Sequence, residues 1–285
     1  MPTLILATWK MPGAKALASA ARRLGWSVVG LNRNPSPKVE GTAILYGGSE
    51  LCDQMAARMG VKLIEPAFDL LARTPRSLLL RSVDSTQYCD LRPFPTPTFV
   101  KPADVRRKAF DAGIYSDVRN ARLEAPLDPE MPVLVSEAVE WLEEYRCFLL
   151  DGKIVTWSPY LWFGRPSWKP YSGGQASLPP APVQDVCRRL LATPRLPFPD
   201  AFVVDVGLIE NRGWAVVEYN PAWCSSLLGA DPRRVLPVIA RASQTVEVKT
   251  PRREHQSARK RRERDALVAN AHRGYGCFPN AAVLA

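Results

Sequence analysis

The 285-residue chain reads as an α+β protein: an N-terminal α/β unit followed by a larger domain of antiparallel strands. Two patterns predict this. As far as residue 75, apolar runs of strand length alternate with helical stripes; beyond it, apolar runs pair up around turn signals. Composition agrees, because 46% hydrophobic residues and eight tryptophans suffice for a core and exclude the low-hydrophobicity signature of a disordered chain.

Residues 3–8 form a buried strand, and residues 13–24 follow as a helix with Leu17, Ala20, Ala21 and Leu24 on one stripe. Gly25 sits at the C′ position, where the left-handed backbone that ends helices favours glycine. Residues 26–31 form a second strand and 42–46 a shorter apolar run. A helix opens at Ser49, repeats apolar residues at Leu51, Met55 and Met59, and stops at Gly60 before a strand-like run over 61–64. No G-x-G-x-x-G follows the first strand and G-x-x-x-x-G-K-[ST] occurs nowhere, so neither phosphate-cradling fingerprint is available.

A proline-rich stretch, 92–98, leads into residues 99–102, which Pro102 keeps extended. Residues 133–220 read as strands and hairpins joined by loops. Asp151-Gly152 predicts a type I′ turn between strands at 145–150 and 153–157. The expected domains are a 1–75 α/β unit, a 76–247 catalytic domain and a basic, disordered or weakly helical tail over 248–285. That tail holds nine Lys/Arg and three Asp/Glu, so 9 − 3 = +6 of the net +10 lies there and only +4 on the body. The basicity is therefore no evidence that the body binds nucleic acid.

Six scattered cysteines, without a C-x-x-C pair, read as reduced packing residues, and neither His255 nor His272 has a zinc-ligand spacing with them. No apolar run reaches the ~18 residues that span a bilayer, and the first nine residues make a poor signal peptide. The expected location is cytoplasmic, with no membrane partner.

Residues 202–220 read as a hairpin. With a connection of two residues (Asn211, Arg212) or four (210–213), Asp205 stands opposite Glu218, and strand alternation adds Asn220 to the same face. Facing carboxylates repel unless a cation or proton lies between them, and two carboxylates with an amide oxygen suit Mg²⁺. Hairpin geometry alone fits equally an exposed polar face.

Asp205 followed by Glu218-Tyr-Asn220 resembles the metal-binding Asp and E-x-N of the ATP-grasp superfamily, and further pieces stand upstream in that family's order. Lys101 in Phe-Val-Lys-Pro resembles its first phosphate-binding lysine. Lys108, ahead of Gly113, resembles its second, beside the loop that closes over the phosphates. Residues 133–139 resemble the hinge strand, with Glu137 taking the ribose and the backbone to Val139 the adenine. Glu144-Tyr-Arg146 resembles the following E-x-R, with Arg146 aimed at phosphate; read alone, Arg146 fits a pair with Glu144 or Asp151. The pattern covers about residues 97–225 and most resembles the clade of small ATP-grasp proteins marked by one arginine and two lysines. No long glycine-rich loop surrounds Lys108, a departure from the family, and the tail matches nothing associated with it.

The resemblance implies an ATP-grasp fold behind a pre-ATP-grasp unit, with ATP and Mg²⁺ as cofactors. Asp205, Glu218 and Asn220 would bind metal, while Lys101, Lys108, Glu137, Val139 and Arg146 would bind nucleotide, Arg146 and Lys108 also being catalytic. The implied activity is a carboxylate-amine ligase working through an acyl phosphate on small-molecule or peptide substrates. Residues 157–171, rich in aromatics around Arg165 and Lys169, read either as a mobile loop clamping the acceptor, with Trp223 nearby, or as aromatic packing. The alternatives are a small-molecule kinase of the same fold, a member that binds ATP without turnover, and a nucleic-acid-binding protein acting through Arg252-Arg253 and residues 259–264.

Overall fold

In this computed structural model the described residues are 1–7, 11–31, 39, 41–104, 106, 109–121, 128–173 and 177–245. Lys108, the two histidines and the whole basic tail lie outside them. Residues 1–246 form one compact unit.

The first strand, β1 (Thr3–Leu6), is flanked by β2 (Ser27–Gly30) and β3 (Ala43–Tyr46) in a parallel sheet of order β2-β1-β3. Every residue of β1 and β3 is buried, as expected for parallel strands covered on both faces. Helix α1 (Ala14–Arg23) ends at Gly25 (φ +75°), and α2 (Ser49–Met59) ends at Gly60 (φ +63°); both glycines supply the left-handed turn. The strand that follows, β4 (Val61–Leu63), leaves this sheet and pairs antiparallel with a late strand, Ser243–Thr245 (β14 below).

A short helix, α3 (Arg76–Leu79), leads into a four-stranded antiparallel sheet. Its strands are β5 (Val83–Gln87), β6 (Thr98–Pro102), β7 (Gly113–Tyr115) and β8 (Pro132–Glu137), in the order β5-β8-β6-β7. The larger sheet has the order β11-β10-β9-β12-β13, built from β9 (Trp141–Leu150), β10 (Lys153–Trp162), β11 (Arg165–Pro166), β12 (Ala201–Ile209) and β13 (Gly213–Asn220). Asp151 (φ +49°) and Gly152 (φ +73°) join β9 to β10, and two positive φ values in a row are the type I′ turn.

Two helices stand where the sequence reading placed none. Helix α4 (Ala181–Leu191) interrupts the hairpins and buries Val183, Val186, Cys187 and Leu190 against one face of the large sheet. Each such side chain contributes roughly 1.5–3 kcal/mol. Helix α5 (Pro232–Ala242), capped by Asp231, which accepts from the Arg233 amide at 2.9 Å, packs on the other face together with α1 and the parallel sheet, and β14 (Ser243–Thr245) follows it. The expected loop over 157–171 is also corrected: its first six residues continue β10, and β11 turns back upon them. Trp223, expected beside an acceptor clamp, is fully buried in the core, where its indole donates to Ile64 O at 3.1 Å. The five described cysteines are free, and no described helix is long and apolar enough to cross a membrane.

Candidate active site

Strands β9, β12 and β13 lie side by side, so alternate residues of all three share a face. Arg146, Asp205 and Glu218 stand in one row across them, with Glu144 and Asn220 on the same side. The register that aligns them has an unexpected origin. The β12–β13 connection has three residues, 210–212, and near it partners add to 422 (Ile209 with Gly213, Val206 with Val216) rather than 423. A bulge at Val217 shifts the ladder by one, and only beyond it does Asp205 face Glu218.

The row is knit by charge. Arg146 grips Asp205 with two parallel bonds, Nε to Oδ1 at 2.9 Å and Nη2 to Oδ2 at 2.7 Å. It also donates to Ser226 O at 3.3 Å and lies 5.0 Å from the Tyr160 ring centre. Lys101 comes from β6 of the smaller sheet, and its Nζ donates to Glu218 Oε2 at 2.6 Å. Asn220 Nδ2 donates to Glu218 Oε1 at 2.8 Å and Asp205 Oδ2 at 3.3 Å. Of the residues expected to act, Lys101, Arg146, Asp205, Glu218 and Asn220 thus converge. Asp151, the alternative partner for Arg146, is held instead by Arg241 at 3.1 Å.

Burial pushes the Glu218 carboxyl up, but the Lys101 charge, the bonds from Lys101 and Asn220 and the Arg146 charge outweigh it and hold it well below the usual carboxylate range. Asp205, with no solvent exposure, is lifted by burial to about 6, against the pull of Arg146. Glu144, also buried, is pushed up to about 7 by burial and then by the Asp205 and Glu218 charges, with Arg146 and Arg81 acting in the opposite direction.

Beyond Lys101, a cavity of about 320 Å³ opens between the two sheets, with Phe99, Leu134, Trp141 and Val217 among its walls and Glu137, Val139 and Glu218 on its rim. Such an apolar slot with polar groups at its edge is the usual form of a small-ligand site. Glu137 is engaged here by Arg212 at 2.6 Å and by the Ser82 amide at 3.4 Å. Gly207 lets Trp141 lie across β12, since a Cβ there would come within 2.6 Å of its Cε3. A second cavity of about 520 Å³ adjoins at Lys101, walled by Phe68, Phe198, Tyr219 and several prolines and edged by Glu65 and Arg106.

One buried cation on the cavity wall escaped the sequence reading. Arg81, 5% exposed, stacks 5.0 Å from the Trp141 ring and bonds to carbonyls of β13. Burial draws its guanidinium down to about 10, still protonated at neutral pH. The only sequence signal is an arginine directly after Leu78-Leu79-Leu80, a charge closing an apolar run.

Among the described residues no cluster of three or more His, Cys, Asp or Glu side chains could hold a metal. Asp205, Glu218 and Asn220 offer two carboxylates and an amide, all hard oxygen donors once the Asn220 amide makes a half-turn. That set fits Mg²⁺, which keeps waters and takes phosphate oxygens for the rest of its shell.

Comparison with known proteins bears on the fold. D-cycloserine synthetase DcsG superposes with a TM-score of 0.52 at 13% identity, covering 84% of this chain and 99% of that one. Carboxyaminoimidazole ribonucleotide synthase from Aspergillus clavatus, complexed with ATP, gives 0.48 at 13% identity over 84% and 76% of the two chains. D-alanine–D-alanine ligase from Bacillus anthracis, also with ATP, gives 0.42 at 13% identity over 78% and 85%. Among curated proteins none matches by sequence. The model of the ATP-grasp domain, family 2 of the clade named for one arginine and two lysines, matches residues 78–238, more than half of the chain, and this protein belongs to that family.

Proposed function

We propose that this protein is an ATP-dependent ligase that activates a carboxylate as an acyl phosphate for attack by an amine, on amino-acid or peptide-type substrates. The observation that supports it best is the row of Arg146, Asp205 and Glu218 closed by Lys101 from the facing sheet. Cations and carboxylates neutralise one another there at the mouth of an apolar slot. Such a site is ready to exchange partners: phosphate oxygens for the carboxylates around Lys101 and Arg146, a cation for the ammonium and guanidinium around Glu218 and Asp205.

In this reading Asp205, Glu218 and Asn220 hold Mg²⁺, which when bound offsets the negative charge of the phosphates. Lys101 and Arg146, with Lys108, orient the phosphoryl group toward the acceptor. Arg146 is held on three sides, so its guanidinium is positioned before any ligand arrives, and positioning is where catalysis of phosphoryl transfer chiefly lies. The hinge from Glu137 to Val139 takes the nucleoside, Glu137 exchanging Arg212 for ribose hydroxyls. The Phe68, Phe198 and Tyr219 cavity, which meets Lys101, is the place for the acceptor. The attacking carboxylate oxygen forms a bond to the γ-phosphorus as the bond to the ADP oxygen breaks, and the amine then displaces phosphate.

The test is ADP release from Mg-ATP against a panel of amino acids and peptides, with and without hydroxylamine. Ligase chemistry yields a hydroxamate with the active carboxylate. ADP release without hydroxamate would move the assignment to a kinase, and no release with any acceptor would overturn it.

A further inference from the structure

Arg81 enters the interior from the turn after α3, where Leu80 takes a left-handed backbone (φ +52°). A guanidinium has five N–H donors. Nε donates to Ser136 Oγ at 3.1 Å, Nη1 to Leu79 O at 3.2 Å and Val216 O at 2.7 Å, and Nη2 to Val217 O at 2.8 Å. Ser136 in turn donates to the carbonyl of Glu137 at 3.0 Å. One side chain therefore joins the hinge strand of the smaller sheet to β13, the open edge of the larger.

Successive carbonyls of a regular strand point to opposite edges. Val216 and Val217 present theirs to one guanidinium, and Val217 is the extra residue of the bulge. Had the register set at the 210–212 connection continued, Glu218 would stand opposite Val204. A slip of one residue turns every later side chain to the other face. Tyr219 would then occupy the Asp205 side, while Glu218 and Asn220 faced the α4 core. The bulge, not the hairpin turn, creates the acidic row.

We propose that Arg81 is a positioning residue for the cation site, holding the β13 bulge that turns Glu218 and Asn220 toward Asp205. This rests on the reading of those three residues as the Mg²⁺ set. Arg81 acts through backbone carbonyls and is distinct from the phosphate-facing cations.

The test combines Arg81→Met with deletion of Val217. In R81M, calorimetry should show the Mg²⁺ concentration that half-saturates the ADP complex rising at least about tenfold, the scale of losing an outer-shell partner, with metal-free ADP affinity within about threefold of wild type. Amide exchange at residues 216–220 of the ligand-free protein should accelerate. Deleting Val217 in the R81M background removes the extra residue, so the turn-set register itself brings Glu218 opposite Asp205. That double variant should regain a Mg²⁺ requirement within about threefold of wild type, a rescue no direct nucleotide contact would show. Unchanged Mg²⁺ dependence in R81M overturns the proposal, as does an equal loss of ADP affinity with and without Mg²⁺ that the deletion fails to rescue. If R81M does not fold, Ser136→Ala, which removes one anchor of the guanidinium, should raise the Mg²⁺ requirement about threefold, and no change there overturns it. Wild-type ADP affinity indifferent to Mg²⁺ would instead sink the cation-site reading itself.

Discussion

Replacing Lys101 by Met separates the two halves of the proposed exchange. In the ligand-free protein Nζ lies 2.6 Å from Glu218 Oε2, with the two side chains 19% and 27% exposed. At an effective dielectric of about 20 the Coulomb attraction at that distance is about 6 kcal/mol, an upper bound before desolvation is subtracted. A charge-assisted hydrogen bond nets about 1.5–3 kcal/mol, and about 1.4 kcal/mol is a factor of ten in affinity. Mg²⁺ entering alone must displace Lys101 from Glu218, and ADP entering alone must draw Lys101 away, so each ligand is opposed until the other arrives. In K101M the opposition to the metal disappears, and Mg²⁺ alone should bind at least about tenfold tighter than to wild type. ADP, deprived of its cation, should bind at least about tenfold weaker. The assay is isothermal titration of each ligand, alone and with the other present, at pH 8, where Glu218 stays ionised without its ammonium partner. Affinities of both ligands within twofold of wild type would refute the reasoning, because the ion pair would then gate neither.

Asp205→Asn leaves Arg146 buried with Glu218 at 3.9 Å as its nearest remaining carboxylate, and should destabilise the ligand-free protein by about 3 kcal/mol in denaturant unfolding. A cost under about 1 kcal/mol would mean that the pair is already solvated. Glu144 titrates near 7 in the folded state, above its ordinary 4.5, so its contribution to stability is present at low pH and lost as pH rises through 7. Asp205 adds the same sign as pH rises through 6, and Glu218, held low, the opposite sign only at acid pH. Glu144→Gln should therefore stabilise the protein at pH 8 relative to pH 5, by at most about 3 kcal/mol; equal pH slopes in variant and wild type would contradict this. Arg212→Ala, breaking an exposed ion pair, should change stability by less than about 1 kcal/mol while freeing Glu137 and tightening ADP binding about two- to fivefold. Weaker ADP binding in that variant would place Arg212 itself against the nucleotide.

The acidic hairpin was legible because strand alternation and pairing are local rules, and they put Asp205 opposite Glu218. Yet they did so through a two- or four-residue connection, whereas the chain uses three residues and a bulge. Nothing local marks Val217 as the extra residue, because its cause is Arg81, more than a hundred residues earlier. The same holds for Lys101 and Glu218: their approach depends on how two sheets stack, which only the family order of motifs suggested. Helix α4 was readable, since Val183, Val186, Cys187 and Leu190 repeat at helical spacing behind Pro182, but the surrounding hairpin pattern masked it. The aromatic segment after Trp157 resembled a loop because bulky residues lie on both faces of β10: Trp157 packs on Tyr145, Tyr160 under Arg146, while Trp162 remains half exposed.

Paramagnetic titration tests the central claim most directly: Mn²⁺ in place of Mg²⁺, followed by electron spin resonance with ADP present, in wild type and Glu218→Gln. The account predicts one ADP-dependent Mn²⁺ per chain in wild type and at least about tenfold weaker binding in the variant, whose fold is checked by thermal unfolding. The same stoichiometry and affinity in a folded variant would mean that the row of Arg146, Asp205 and Glu218 is not where the cation sits.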